Sequence, residues 1–261
     1  MVFASRVPSR AELHSHYLDY GHAWQDSTIT RARYAELLDS FQKFRSVNRL
    51  LDFGCGAGFF LEEARSRGWQ TYGTEYSGRA LQLARDKGLD VLEAPVERHA
   101  FMPASFDVIT AFEVFEHVSD PNAEAELVAR WLRPGGLLYC TTPNFGSLSR
   151  RLLRSRWTVI EFPEHLCYFT GRTLTTWLER HGFEKLSLKS SGFSVSRLRC
   201  GLGSPTTGPP FAFGDEEIRE AIERSATLRT AKSIANAAFS ILRTGDTLKG
   251  HFVLAAPLRN G

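Results

Sequence analysis

Glu113-Val114-Phe115-Glu116-His117 brings two carboxylates and an imidazole into five consecutive residues. In a helical turn, positions i, i+3 and i+4 project from one face, so Glu113, Glu116 and His117 would converge. Such a set can hold a divalent cation and leave positions for substrate oxygens. It can also work without metal, with His117 as a general base, or serve structure alone, with a glutamate capping a helix. On these residues all three readings stay open.

A second cluster lies upstream, at Leu51-Asp52-Phe53-Gly54-Cys55-Gly56-Ala57-Gly58. Glycines there let the backbone turn sharply and approach a ligand without a Cβ clash. A phosphate-binding Walker loop needs Lys followed by Ser or Thr, and neither is present. The dinucleotide fingerprint wants GxGxxG, but the third glycine falls at Gly58 and Phe59 occupies its place. Asp52 would repel a pyrophosphate and favour a ligand with an amino group or a sulfonium. Glu75 follows 21 residues after Gly54, where an acid can accept hydrogen bonds from ribose hydroxyls.

These residues need a frame, and the hydrophobic rhythm supplies one. Val47–Phe53 is a short apolar run, as expected of a buried parallel strand. A helix (Phe59–Arg67), a strand (Gln70–Glu75), a helix (Ser77–Lys87) and a strand (Leu89–Ala94) follow. Then come a strand (Phe106–Phe112), a helix (Asn122–Leu132), a Pro134-Gly135-Gly136 turn and a strand (Leu137–Thr142). Such alternation predicts βαβ units in an open, mostly parallel sheet. Thr170–His181 reads as a capped helix and Phe183–Leu188 as a strand. Gly201–Gly214 reads as a loop, Asp215–Leu242 as a long helical segment and Gly250–Ala256 as the final strand. Before the first strand, Tyr34, Leu37, Leu38 and Phe41 recur at helical spacing, and Tyr17, Tyr20 and Trp24 form either an aromatic lid or a helix-face core.

The 261 residues are 43% hydrophobic and 23% charged, which excludes disordered and fibrous chains. No apolar run reaches the roughly 18 residues of a spanning helix, and MVFASRVPSR has no secretory h-region. Cys55, Cys140, Cys167 and Cys200 are scattered, which argues against a disulfide framework or zinc knuckle. A cytoplasmic protein is expected. A net charge of +3 is too small to imply nucleic acid but allows an anionic substrate. Arg150, Arg151, Arg154 and Arg156 beside Trp157 form either a solvated face or an anion contact.

Taken in order, VNRLLDFGCGAG, TYGTEYS, SFDVITAFEVFEHVSDP, LRPGGLLYCTTPN and the helix–strand pair ending GFEKL resemble the class I S-adenosylmethionine-dependent methyltransferases over residues 47–190. That resemblance implies an α/β, Rossmann-like, seven-stranded sheet whose last strand is antiparallel. It divides the chain into N-terminal helices (1–46, a lid), the cofactor-binding core (47–190), and a loop and helical insertion with the final strand (191–261). Gly54, Gly56 and Gly58 would line the methionine portion of S-adenosylmethionine and Glu75 would hold its ribose. Asp52, Tyr76, Val96, Glu97 and Glu113 complete the implied cofactor set. Pro95 stands where relatives often carry an acid for the adenine amine, which leaves that contact to Glu97 or to backbone.

Residues 113–117 are similar to the ubiquinone-pathway O-methyltransferases, and also to small-RNA terminal 2′-O-methyltransferases, which add a later histidine ligand. Thr142-Pro143-Asn144, Pro163-Glu164-His165 and Phe169-Thr170 are similar to that later segment. This makes His165 the implied fourth ligand, with Glu113, Glu116 and His117, for Mg²⁺ or another divalent cation. Without metal, His117 or His165 would take the acceptor's proton. The expected function is O-methylation of a small-molecule hydroxyl on a phenol, sugar or natural product. An RNA 2′-O-methyltransferase and an inactive cofactor-binding regulator compete with it. The modest charge and the lack of an RNA module disfavour the first, and the acids and histidines kept at the catalytic end disfavour the second. Oligomeric state is open.

Overall fold

A computed structural model describes residues 1–8, 12, 27–193 and 225–255. The aromatic segment holding Tyr17, Tyr20 and Trp24, and the Gly201–Gly214 loop, lie outside the described residues. The elements begin with β1 (Val2–Phe3) and α1 (Thr28–Phe41). The βα alternation follows as β2 (Arg49–Phe53), α2 (Phe59–Ser66), β3 (Gln70–Glu75), α3 (Gly78–Asp86), β4 (Asp90–Glu93) and β5 (Phe106–Phe112). Next come α4 (Pro121–Trp131), β6 (Leu132–Pro143), α5 (Leu148–Leu153), β7 (Cys167–Tyr168) and α6 (Gly171–Glu179). β8 (Phe183–Ser191), α7 (Ala226–Leu242) and β9 (Thr247–Leu254) complete the order.

Seven strands form one sheet in the order β4-β3-β2-β5-β6-β9-β8. Pairing from β4 to β6 is parallel, and β9 runs antiparallel between β6 and β8. Alternating strand side chains fill two cores, because successive residues point to opposite faces. Leu51, Ile109 and Leu138 pack with Val128 and Trp131 of α4 and Trp177 of α6. Their neighbours Leu50, Val108 and Leu137 pack on the other face with Phe41 of α1, Leu61 of α2 and Ala84 of α3. Each fully buried leucine contributes about 1.5–3 kcal/mol relative to exposure. Among the described residues, no helix is long and apolar enough to cross a membrane.

One expectation changes, and one strand is added. Pro134-Gly135-Gly136 is not a turn between elements but an irregularity inside β6, whose pairing steps from Phe106–Leu132 to Val108–Leu137. Gly135 takes a φ of 74° there, which absorbs the extra residues. β1 had no signal in the sequence, being two residues long; it pairs antiparallel with β7.

Candidate active site

Residues 52–58 leave the carboxyl end of β2, where ligands bind in open sheets of this kind. Gly54, Gly56 and Gly58 all have positive φ (76°, 54° and 78°). Their reasons differ. A Cβ on Gly58 would lie 2.4 Å from Leu89 Cδ1 and 3.3 Å from Ala84, and the residue is buried, so its bareness serves packing against α3. Gly54 and Gly56 are half-exposed and present backbone to a ligand. A Cβ on Gly54 would lie 2.7 Å from Val114 Cγ2, which places the glycine loop directly against the 113–117 turn.

Two acids flank the loop. Glu75 ends β3 and accepts backbone N–H bonds from Gly56 (2.7 Å), Tyr76 (2.8 Å) and Ser77 (2.7 Å). Burial pushes its carboxyl up, while those three bonds pull the other way. Asp52 is buried and accepts from Thr110 Oγ1 at 2.6 Å. Burial drives its pKa up to about 7, against the Thr110 bond and with the help of the Glu75 charge. Further along that rim, Val96 packs against the core while Glu97 is exposed.

Past β5 the chain makes a tight turn, closed by His117 N–H donating to the Val114 carbonyl at 2.9 Å. Glu113 does not share its geometry. It adopts φ 52° and donates its N–H to the Thr141 carbonyl at 3.1 Å, so the helical spacing expected of Glu113, Glu116 and His117 fails at its first member.

His165 reaches this turn from 48 residues away. The Glu116 carbonyl accepts the N–H groups of Leu166 (2.7 Å) and Cys167 (3.0 Å), docking the whole segment. The ligand atoms of Glu116, His117 and His165 then lie within 4.8 Å of one another, a group that leaves Glu113 out. His117 Nδ1 bonds the Glu164 carbonyl at 2.9 Å, and His165 Nδ1 bonds the Val159 carbonyl at 2.6 Å. A ring donating Nδ1–H to a carbonyl keeps its lone pair on Nε2, the form that binds metals or accepts a proton. Both Glu116 carboxylate oxygens are buried without a well-formed hydrogen bond, although Glu113 and Thr142 lie beside them. Burial, then the Glu113 charge, push this carboxyl well up. An orphaned buried carboxylate is costly unless a cation or donor completes it.

Residues 27–188 match the family described as a methyltransferase domain. The chain belongs to the methyltransferase domain family. A methyltransferase relative, the ubiquinone biosynthesis O-methyltransferase of Idiomarina loihiensis, is 37% identical over 103 residues, covering 37% of this chain and 42% of the relative. The aligned part thus spans about two fifths of that relative. Among solved structures, a SAM-dependent methyltransferase from Archaeoglobus fulgidus shares the fold, with a TM-score of 0.57 and 17% identity over 94% of this chain and all of that one. A [4+2]-cyclase, SpnF, shares it too, with a TM-score of 0.55 and 19% identity over 91% of this chain and 86% of that one. The fold alone therefore does not fix the reaction, and the site has to.

Three contributors carried no site signal in the sequence, where Tyr34 read only as part of a helix face. Tyr34 of α1 packs edge-on against Phe60 and tilted against Phe112, and burial, helped by the Asp52 charge, pushes its hydroxyl up to about 12. Thr110 clamps Asp52. Thr141 holds the Glu113 amide through both its carbonyl and its Oγ1. Each is recognisable only once the chain is folded: Tyr34 through α1 packing on Phe60 and Phe112, Thr110 through β5 beside β2, and Thr141 through β6 beside β5. Trp157, read beside the arginines as a possible anion contact, is buried instead and donates Nε1–H to Ser149 Oγ at 3.1 Å.

Proposed function

We propose that this methyltransferase uses S-adenosylmethionine to methylate a hydroxyl oxygen of a small molecule. The glycine loop and its two acids support the cofactor half of the reading. The name of its relatives supports oxygen as the acceptor atom. The observation that carries the proposal is the convergence of Glu116, His117 and His165, with both imidazoles tied at Nδ1.

The residues also fit a divalent cation. One orphaned carboxylate and two ligand-ready imidazoles form a mixed oxygen–nitrogen donor set. Such a set suits Mn²⁺, Fe²⁺ or Zn²⁺ better than Mg²⁺, which prefers oxygens alone. Glu113 would stand beside the set, against Glu116. When bound, S-adenosylmethionine supplies the electrophilic methyl group and the cation lowers the pKa of the acceptor hydroxyl.

The chain's own residues do the rest. Backbone at Gly54 and Gly56 lets the methionine portion approach closely. Glu75 accepts from ribose hydroxyls, and Asp52 offers negative charge under the loop to the ligand's cationic centres. His117 and His165 fix the acceptor oxygen in line with the methyl group, so that positioning supplies much of the rate.

A methyl-transfer assay with labelled S-adenosylmethionine and a panel of catechols, with and without chelator, tests the reading. Transfer to oxygen that stops with chelator and returns with Mn²⁺ is expected. Activity indifferent to chelator, but lost in His165→Gln, would move the chemistry to general-base catalysis. Absence of cofactor binding would remove the reading altogether.

A further inference from the structure

A cation-rich concavity lies next to the His165 segment, outside the candidate active site. Its volume is about 520 Å³, and Arg150, Arg151, Arg154, Ser155 and Ile160 line it. None of the three arginines forms an ion pair among the described residues. Arginines on a solvated helix face would be free to spread apart. Here the backbone that carries them is anchored, and Arg150 is packed in place.

Four features fix α5 and the turn after it. Ser147 caps the helix, accepting from Arg150 N at 3.2 Å. Ser149 Oγ, buried, bonds the buried Asp246 just before β9 and accepts from Trp157 Nε1. The Arg150 guanidinium stacks 4.2 Å over the Phe145 ring, and its Nε is buried without a hydrogen bond. Arg154 holds φ 54° with ψ −117°, a combination that side-chain-bearing residues rarely adopt. Strain and anchoring of this sort at a surface turn fit a binding site better than a hydrated one.

The concavity adjoins the candidate active site. Ile160 lines it, and the carbonyl of the preceding Val159 orients His165. Phe145, under Arg150, packs on Tyr168, whose hydroxyl bonds the His165 carbonyl at 3.1 Å. Guanidinium groups present donors in a planar fork that matches phosphate and carboxylate. The volume exceeds what an inorganic ion needs and falls in the range of small-molecule pockets.

We infer that Arg150, Arg151 and Arg154 form an oxyanion subsite that takes a phosphate or carboxylate group carried by the acceptor. The acceptor part of this inference rests on the methyltransferase reading above. The ligand is a soluble organic anion; an anionic lipid headgroup offers the same chemistry, and the experiment separates the two.

Inorganic pyrophosphate is titrated calorimetrically into the full chain and into the Arg151→Gln/Arg154→Gln variant, both exposed positions chosen to spare folding. S-adenosylhomocysteine is titrated into the same samples. Pyrophosphate should bind with a Kd of about 0.1 mM at low salt and about tenfold or more weaker to the variant. The affinity for S-adenosylhomocysteine should be equal in both. The His165 imidazole signals, assigned in NMR spectra with His165→Gln, should shift on adding pyrophosphate. Equal pyrophosphate affinity in the two proteins, or none in either, overturns the subsite. Binding that leaves the His165 signals still overturns its link to the acceptor. Cosedimentation with phosphatidylglycerol vesicles that the double substitution abolishes would assign the arginines to a lipid surface instead. Failure of S-adenosylhomocysteine to bind would strike the methyltransferase reading and leave the pyrophosphate result to stand by itself.

Discussion

The rings of His117 and His165 lie 4.6 Å apart, centroid to centroid, and each is held at Nδ1 by the carbonyl of a different loop residue. Glu116, between them in function, supplies its side chain to the cluster and its carbonyl to the strap that delivers His165. One residue thus builds the site twice. Calorimetry with Mn²⁺ should show one site per chain. Even outer-shell partners cost about 10–100-fold in metal affinity, so Glu116→Gln should cost at least about 100-fold. It should leave S-adenosylhomocysteine affinity nearly unchanged. Equal Mn²⁺ binding by wild type and Glu116→Gln would remove the metal from the proposal.

Asp52 should make cofactor binding depend on pH. Its pKa of about 7 in the folded protein lies above the ordinary aspartate value of 3.8. Between about pH 4 and 7 the folded chain keeps a proton that the unfolded chain has released. This group's contribution to stability therefore falls as pH rises across that window and is level above it, by at most about 4 kcal/mol. A cationic ligand favours the ionised form. Affinity for S-adenosylmethionine should rise through about pH 7, with proton release near neutrality. Calorimetry in buffers of different ionisation enthalpy would detect the proton, and Asp52→Asn should abolish it.

Glu75 is committed to three backbone amides before any ribose arrives. Glu75→Ala leaves those donors unpaired and should weaken cofactor binding by roughly 1.5–3 kcal/mol. It should also lower the melting temperature of the unliganded protein. Glu75→Gln keeps an acceptor oxygen and should do less in both measurements. Cofactor affinity within twofold of wild type in Glu75→Ala would remove the ribose role.

Gly54 and Val114 form a steric couple. Gly54→Ala meets both a positive φ and the 2.7 Å contact with Val114 Cγ2. It should destabilise by about 1–3 kcal/mol. Val114→Ala in the same chain should recover the steric share and leave the conformational share. A double-mutant cycle in urea measures both, and an interaction energy near zero would mean that the loop and the turn are independent.

Much of this site was legible before any coordinates. The parallel strands announce themselves because both faces are buried, as at Leu50 and Leu51, which produces apolar runs between glycine stops. Glu75 was legible for a different reason: it ends a strand at a set distance from the loop. The Glu113 conformation was not, because the helical spacing rule assumes helical φ and says nothing of a residue leaving a strand. Thr110 and Tyr34 were hidden too, since their partner Asp52 is distant in sequence and adjacent only through packing. The resemblance had implied His165, but the means of its delivery, two amides on the Glu116 carbonyl, is a backbone event to which side-chain patterns are blind.

β9 lies between β6 and β8. During synthesis from the amino end, β8 emerges more than fifty residues before the strand that joins it to the sheet. Until residues 247–254 leave the ribosome, β6 exposes a bare edge and β8 has no strand to pair with, and such unpaired strands are sticky. The Arg154 turn is likewise unfastened, because the Asp246 that bolts Ser149 arrives with the same strand. The arginine-lined concavity and the closed sheet are therefore finished together, by the same stretch of chain.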